Sequence, residues 1–251
     1  MKIFETHAHL DFPQFDQDRE KLILSCQQQG IDHIINVGVN KSTIETSIKL
    51  AEKHDIIFAS AGFHPHDATE YERDFLLQKA KHKKVVAIGE CGLDYYRNLS
   101  PRDVQKKVFE DQIKLAIESD LPLIIHDRDA HRECLDILGK YNPTKVVFHC
   151  FSGDTVLAEE ILDQGWFISF TGTITYKNSS LQDVVRLVPL DRFFIETDSP
   201  YLSPHPKRGK RNSPLNLRYV IEKISEIRGL PPKAIAEASW QNACQFFDLE
   251  K

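Results

Sequence analysis

The sequence predicts an α/β protein of the (β/α)8 TIM-barrel class, folded as a single domain over residues 1–251. Three observations support this prediction. Short apolar runs recur along the chain, segments of helix length lie between them, and 251 residues is a usual length for one such barrel. Most of the apolar runs are continuous rather than alternating in hydrophobicity, which is typical of parallel strands buried on both faces.

Eight strands are predicted from these runs. They lie at Ile3–Thr6, His33–Val37, Ile56–Ala61, Val85–Gly89, Leu123–His126, Val146–His149, Trp166–Phe170 and Phe193–Thr197. Two further helices are expected from about residue 215, at Leu215–Arg228 and Pro232–Phe247. A doubly wound open sheet is the alternative, because a count of strands does not establish that the sheet closes.

The composition is that of an enzyme-sized domain. Apolar residues make up 41% of the chain, charged residues 27%, and the formal net charge is −5. Proteins that grip long stretches of nucleic acid use a basic excess to neutralise phosphates, so the acidic total disfavours a stable nucleic-acid-binding module. It does not exclude an enzyme that handles phosphodiesters in a metal-containing pocket.

Cysteine usage and the lack of targeting segments predict a cytoplasmic protein. The five cysteines are odd in number and include no CxxC pair, a pattern that favours reduced thiols over a disulfide framework. The chain does not open with a basic segment and an apolar stretch, and no apolar run approaches the roughly 20 residues that span a bilayer. We therefore expect neither a signal peptide nor a membrane-spanning helix.

Residues able to bind a metal lie at or just after the ends of five predicted strands. They are His7 and His9 just after the first strand, Glu90 just after the fourth, His126 and His149 as the last residues of the fifth and sixth, and Asp198 just after the eighth. Because the carboxyl ends of barrel strands meet on one face, these six side chains are expected to surround one pocket. Each of these residues could instead have a purely structural role, such as capping a backbone group or forming a turn. That explanation would have to hold independently at five strand ends, so a shared metal site is favoured.

The spacing of the first two histidines suits metal binding. Because side chains two residues apart in a strand lie on the same face, the imidazoles of His7 and His9 project to the same side and can coordinate one ion. Four histidines and two carboxylates are enough ligands for two divalent ions, for which Mg, Mn and Zn are the candidates. Two metals about 3.5–4 Å apart can stabilise both the attacking and the leaving oxygens of a displacement.

Six segments of the chain are similar to those of the TatD family of metal-dependent deoxyribonucleases. They are FETHAHLDF, AGFHPH, IGECGLDYY, LIIHDRDA, VFHCFSG and ETDSPYLSPHPKRGKRNSP, and they extend from Phe4 to Pro214. The resemblance implies a TIM barrel with a binuclear site. It implies that His7, His9 and Asp198 hold one ion, that His126 and His149 hold the other, and that Glu90 bridges the two.

The activity that this resemblance implies is hydrolysis of DNA by metal-activated water; an exonuclease is expected, and an endonuclease stays open as the alternative. Asp198 would accept the proton of the water as general base, with Glu90 completing the catalytic metal site. His64, after the third predicted strand, would contact the phosphate or assist proton transfer. DNA is expected as a substrate rather than a stable partner, and the protein is expected to be a monomer.

Three arginines are candidates for contacting the substrate: Arg128, Arg208 and Arg211. The last two belong to the basic run from Lys207 to Arg211, just after the eighth strand. This run either guides a DNA end toward the pocket or includes an arginine that ties the loop to the barrel. Cys91 and Cys150 adjoin proposed ligands, but strand alternation points them away from the pocket, so they are predicted to be packing residues.

Two other functions stay open. An amidohydrolase or lactonase acting on a small cyclic amide or ester is the rival enzyme, although many of those bridge their metals with a carboxylated lysine where this chain has Glu90. The other alternative is a non-catalytic nucleic-acid-binding barrel, which the complete ligand set and the acidic total disfavour. The choice among DNA, RNA and a small ester as substrate stays open as well.

Overall fold

The computed structural model describes residues 1–249, and its strands form a single eight-stranded sheet. The strands are β1 (Ile3–Ala8), β2 (Ile31–Gly38), β3 (Ile57–Ala61), β4 (Val85–Asp94), β5 (Leu123–Arg128), β6 (Val146–Phe148), β7 (Phe167–Phe170) and β8 (Phe193–Ile195). They are ordered in the sheet as they are in the chain, from β1 to β8, and the pairings described are parallel.

Helices alternate with these strands, one after each of β1 to β7 and two after β8. They are α1 (Arg19–Gln28), α2 (Lys41–Lys53), α3 (Arg73–Ala80), α4 (Arg102–Ser119), α5 (His131–Tyr141), α6 (Thr155–Asp163), α7 (Gln182–Leu187), α8 (Leu217–Arg228) and α9 (Pro232–Phe246). Strand–helix alternation with sequential strand order is the connectivity of the (β/α)8 barrel and confirms the predicted fold class. A doubly wound sheet reverses its strand order partway, and the described strands do not.

The strand ends are where the predicted boundaries differ most from the structure. β4 continues five residues beyond the predicted end at Gly89, and Gly92 on this extension pairs with His126 of β5. β8 stops two residues before the predicted end at Thr197. The backbone N–H of Thr197 donates to the side-chain carboxylate of Glu5 at 2.8 Å instead of continuing a strand ladder.

The described chain divides into two compact units, of which the first comprises Met1–Asn36 and the chain from Cys150 onward. Its core includes aromatic side chains from β7, β8 and α9. The rings of Phe167 and Phe194 stack at 4.9 Å between centroids, and Phe246 meets both edge-on. Trp240 of α9 also donates from its indole nitrogen to Asp32 of β2 at 2.8 Å, so the last helix is bonded to the sheet.

The second unit comprises Val37–His149 and contains β3 to β6 with α2 to α5. Helix α2 begins with a capping box, in which Asn40 accepts from the backbone of Thr43 while the Thr43 hydroxyl accepts from the backbone of Asn40. Buried Gln112 of α4 bonds both the N–H and the carbonyl of Phe63. That pair of bonds secures the backbone directly before His64. Among the described helices, none is long and apolar enough to cross a membrane.

Candidate metal centre

The first candidate metal group is formed by His7, His9 and Asp198, all in the first unit. Both histidine side chains are buried, and the Asp198 carboxylate lies 3.8 Å from Nε2 of His7 and 3.4 Å from Nε2 of His9. One ligand atom from each residue falls within 4.8 Å of the others. Imidazole nitrogens and a carboxylate oxygen at this separation can converge on one divalent ion.

Backbone bonds between the end of β1 and the segment after β8 build this group. The N–H of Asp198 donates to the carbonyl of His7 at 2.9 Å, and the N–H of His9 donates to the carbonyl of Ser199 at 2.8 Å. Asp198 also has a left-handed backbone, with φ at 54°. The chain therefore turns directly after Thr197, beside the two histidines.

A buried carboxyl group supports the first group from within the barrel strands. Glu5 accepts from the backbone N–H of His7 and from both the N–H and the hydroxyl of Thr197. Burial raises the pKa of Glu5 to about 8, although the bonds from Thr197 act in the opposite direction. Glu5 was not predicted as a site residue, although its position two residues before His7, within an apolar run, places both side chains on the same strand face.

The second candidate metal group surrounds Glu90 in the second unit. Oε1 of Glu90 lies 2.7 Å from Nδ1 of His126, 2.8 Å from Nε2 of His149 and 3.4 Å from Nε2 of His64. Burial alone would raise the pKa of Glu90, but its electrostatic interactions with His149 and His64 and the hydrogen bonds from His126 and His149 outweigh it and hold the pKa well below its usual range. The carboxylate is thus ionised, which is the form that binds metals.

His64, which was predicted to contact the phosphate or to assist proton transfer, lies within the second candidate metal group. Burial, followed by the neighbouring charge of His126, lowers the pKa of His64 to about 4, so its ring is neutral near pH 7. Nδ1 of His64 accepts from the backbone N–H of His66 at 3.1 Å, which leaves the ring proton on Nε2, the nitrogen facing Glu90. His64 is therefore a hydrogen-bond donor within the second group.

Asp94 and His66 are the residues of this neighbourhood that the sequence analysis did not assign. Buried Asp94 contacts Nε2 of His126 at 3.2 Å and Nε2 of His66 at 2.8 Å, and it accepts from the backbone N–H of Arg97 at 2.7 Å. Burial opposes ionisation, but the bond from His126 and the others lower the pKa of Asp94. Asp94 lies four residues after Glu90 in β4, and this even spacing was the available signal.

The donor sets of both groups fit divalent metal ions. Each group combines imidazole nitrogens with a carboxylate oxygen at a largely buried site, within a spacing that one ion can bridge. In the second group the Glu90 carboxylate is ionised, which is the form that binds a metal ion. The structure thus brings the six predicted ligands into two groups, and their assignment as ligands stays a prediction.

The three predicted substrate arginines have different surroundings. Arg128 lies over the ring of Tyr96 at 4.2 Å and Arg208 over the ring of Tyr176 at 4.0 Å, and both arginines are exposed. Arg211 instead makes two bonds to the Asp18 carboxylate and one to the carbonyl of Gln14. These bonds favour the alternative in which Arg211 ties its loop to the chain after β1.

The strand alternation from which the orientation of Cys150 was predicted does not hold in the structure, because β6 ends at Phe148 and Cys150 has a left-handed backbone with φ at 46°. Cys150 is half-buried and lines a surface pocket, whereas Cys91 is fully buried with its thiol 3.8 Å from the carbonyl of Ile124. Cys91 packs in the interior, as predicted.

Imidazole–carboxylate groups at the carboxyl ends of barrel strands define the class of metal-dependent hydrolases on a (β/α)8 fold. Within that class, the family model described as TatD related DNase matches residues 4–248. The chain therefore belongs to the TatD-related DNase family, as its motifs indicated.

Relatives and solved structures agree with this membership over nearly the whole chain. An uncharacterized metal-dependent hydrolase, YabD of Bacillus subtilis, is 41% identical over 98% of this chain and 99% of its own. A protein of Pantoea ananatis named 3'-5' ssDNA/RNA exonuclease TatD is 34% identical over 98% of this chain and 100% of its own. The crystal structure of the TatD homolog YJJV of Escherichia coli has a TM-score of 0.92 at 31% identity, covering 99% of this chain and 98% of that one.

Proposed function

We propose that this protein is a metal-dependent phosphodiesterase that degrades single-stranded nucleic acid, DNA in particular, from an end. The observation that carries the proposal is the pair of buried imidazole–carboxylate groups, around Asp198 and around Glu90. The substrate class is supported by the family match and by the relative named as an exonuclease of single-stranded DNA and RNA.

Two divalent ions, with Mg, Mn and Zn as candidates, complete the proposed centre. We assign His7, His9 and Asp198 to one ion, and Glu90, His126 and His149 to the other. Bound ions of this kind polarise phosphoryl oxygens and lower the pKa of water. The protein contributes fixed, largely buried donors, so little reorganisation is needed when a substrate enters.

Two side chains handle the proton and the phosphate. The Asp198 carboxylate, which retains 16% side-chain exposure beside His7 and His9, accepts the proton of the attacking water as general base. His64 is neutral near pH 7 and carries its proton on Nε2, so it donates a hydrogen bond to a phosphate oxygen without adding a charge. Hydrolysis of the phosphodiester then requires no covalent enzyme intermediate.

The test is turnover of a single-stranded oligonucleotide by an Asp198→Asn variant. Loss of the base is expected to reduce kcat at least 100-fold, while the circular dichroism spectrum stays that of the parent. Asp191→Asn, which changes an exposed carboxylate in the same unit, is the matched control. Near-normal hydrolysis by Asp198→Asn would contradict the assignment of the base.

A substrate panel separates the proposed function from its rivals. The metal content of the purified protein is measured, the same metal is restored, and hydrolysis of oligodeoxynucleotides, oligoribonucleotides, cyclic amides and lactones is compared. We expect oligodeoxynucleotides to be cleaved, and a chelator to abolish cleavage. Turnover of a cyclic amide or lactone alone would assign the chain to the rival class. We further propose a cytoplasmic monomer, which sedimentation and cell fractionation can test.

A further inference from the structure

A surface pocket in the first unit is lined by residues that follow β6, β7 and β8. Its volume is about 540 Å³, within the roughly 300–1,000 Å³ typical of small-molecule sites. Cys150 and Phe151 come from the segment after β6, Tyr176 and Lys177 from the segment after β7, and Arg208 from the loop after β8. These are carboxyl-terminal strand ends, the side of a barrel that carries ligand sites.

The lining of this pocket is basic although the chain as a whole is acidic. Lys177, His205 and Arg208 contribute basic side chains, and none of the described lining residues is an aspartate or a glutamate. Serine, threonine and asparagine side chains add further hydrogen-bond donors. With a net charge of −5 on the chain, this local excess favours an anionic ligand at this position.

The pocket also presents planar groups. The guanidinium of Arg208 lies 4.0 Å from the centroid of the Tyr176 ring, and Phe151 lines the same pocket. The hydroxyl of Tyr176 donates to the carbonyl of Ser203 at 3.3 Å, which holds the ring against the loop after β8. Aromatic faces and arginine planes are the surfaces on which unpaired bases stack, and arginine also donates to phosphate.

Hydrogen bonds to one carboxylate connect this pocket to the first candidate metal group. The backbone N–H of Cys150, a lining residue, donates to the Glu196 carboxylate at 2.6 Å, and the hydroxyl of Thr6 donates to the same carboxylate at 3.4 Å. Thr6 directly precedes His7, and Glu196 lies two residues before Asp198. A ligand in the pocket would therefore be a neighbour of a group bound at His7, His9 and Asp198.

We propose that this pocket binds one nucleotide of the substrate strand next to the phosphodiester that is cleaved. The base stacks on the Arg208–Tyr176 pair, and the phosphate is bound by Lys177, His205 and Arg208. This inference rests on the proposed function. It adds a reason for single-strand preference, since a base paired within a duplex does not leave its stack to enter a pocket without an unpairing cost.

Cys150 provides a readout of occupancy that does not depend on turnover. All five cysteines lie in the described part of the chain, four of them are buried, and half-buried Cys150 lines the pocket. The rate of its alkylation by iodoacetamide is measured on the metal-loaded protein, with a thymidine trinucleotide whose phosphorothioate linkages resist hydrolysis. A Cys150→Ser variant identifies the fraction of labelling that belongs to this thiol.

We expect the trinucleotide to slow the alkylation of Cys150. An abasic trinucleotide and free thymidine monophosphate should each require at least about tenfold higher concentrations for the same protection. The abasic trinucleotide lacks the base that stacks in the pocket, and the monophosphate lacks the neighbouring phosphate that would lie at the metal centre. In a variant with Tyr176→Ala and Arg208→Ala, half-protection should shift upward at least tenfold. A variant with Arg218→Ala and Tyr219→Ala, which removes a similar stacked pair on α8, should match the parent.

The outcomes separate this inference from the proposed function. Hydrolysis of oligonucleotides without protection of Cys150, or equal protection by the abasic trinucleotide or the free mononucleotide, overturns the pocket assignment and leaves the nuclease intact. Protection without hydrolysis of any oligonucleotide overturns the nuclease and, with it, the position of the pocket next to a cleaved phosphodiester, and it supports only the binding of a nucleotide by the pocket. A fall of at least tenfold in the ratio of kcat/KM for the trinucleotide to that for bis(p-nitrophenyl) phosphate in the double variant supports the inference independently.

Discussion

Individual residues around Glu90 form a hydrogen-bonded chain that extends beyond the predicted ligands. His126 lies between two carboxylates, with Nδ1 facing Glu90 at 2.7 Å and Nε2 facing Asp94 at 3.2 Å. The bond to Asp94 fixes which ring nitrogen faces Glu90, as carboxylates that support metal-bound histidines do. Burial lowers the pKa of His126, yet the bonds to both carboxylates reverse that effect and raise it.

Replacing Asp94 with Asn tests this positioning role. The amide retains one acceptor for His126 but loses the charge, so metal affinity at the second group is expected to fall about 10–100-fold. Isothermal titration with the native metal measures the change, and Asp103→Asn, at an exposed position of α4, serves as the control. If the affinity of Asp94→Asn equals that of the parent, Asp94 does not position His126.

Among the structural elements, β4 depends most on glycine. Gly92 has φ at 142° and faces His126 across the β4–β5 pair, and a Cβ built on it would collide with the carbonyl of His126. Glycine is the residue that adopts this backbone without strain and permits this approach. Glycine at position 92 therefore meets both the conformational and the spatial requirement for β4 to pair with β5 beside His126.

Gly92→Ala is expected to lower the free energy of unfolding by roughly 3 kcal/mol, because left-handed strain and the carbonyl clash act together. Urea denaturation measures this change. Gly139→Ala in α5 is the matched control, since a Cβ there meets no atom within 4 Å, and the helix propensity of alanine should raise stability by about 0.5–1 kcal/mol. Equal stability of the two variants would show that a Cβ at position 92 causes neither backbone strain nor a collision with the carbonyl of His126.

The bond between β2 and α9 makes stability depend on pH. Asp32 is half-buried; burial raises its pKa, but bonds from His33 and Trp240 outweigh that effect and lower the pKa below 3.8. The ionised carboxylate therefore stabilises the fold fully above pH 3.8, and this contribution is lost as pH falls through the lowered pKa.

Asp32→Asn should therefore reduce stability near pH 7 by about 1 kcal/mol, a value discounted for the solvent exposure of Asp32. The difference between variant and parent should shrink as pH falls below 3.8. Chemical denaturation at a series of pH values measures both free energies. A difference that stays constant down to the acid transition would show that the Asp32 carboxylate does not titrate differently in the folded and unfolded chains.

At the scale of the whole molecule, metal binding is expected to be linked to folding. The proposed ligands lie far apart in the sequence, so the unfolded chain does not hold them together, and ions that bind the folded chain stabilise it. His7 and Asp198, for example, are separated by most of the chain and meet only through the bonds between β1 and the segment after β8.

Metal removal is therefore expected to lower the melting temperature. An ion at 100 times its Kd stabilises the fold by about 2.7 kcal/mol, which corresponds to roughly 5–10 °C for a chain of this size. Differential scanning calorimetry with and without chelator measures the shift. The variant with His7→Ala and His9→Ala should show a smaller shift than the parent, whereas His82→Ala, a surface histidine paired with Glu52, should show the full shift. A chelator-insensitive parent would contradict metal binding.

The ligand candidates could be predicted because each follows an apolar run. A polar residue after a buried strand is locally visible, and His126 and Asp198 were found in this way. Asp94 was missed because β4 was expected to end at Gly89, and left-handed glycines carry the strand five residues further. The basis for the predicted orientation of Cys150 failed for a related reason: its left-handed backbone departs from the alternation on which the prediction depended.

The sequence by itself determined the (β/α)8 class, the family and the residues able to bind metal, because hydrophobic periodicity and short motifs are local properties of the chain. Only the tertiary structure decided which of those residues meet. It placed His7 and His9 beside Asp198, and Glu90 among His64, His126 and His149. It also paired Arg208 with Tyr176 in a basic pocket, because loops distant in sequence come together only when their strands pair.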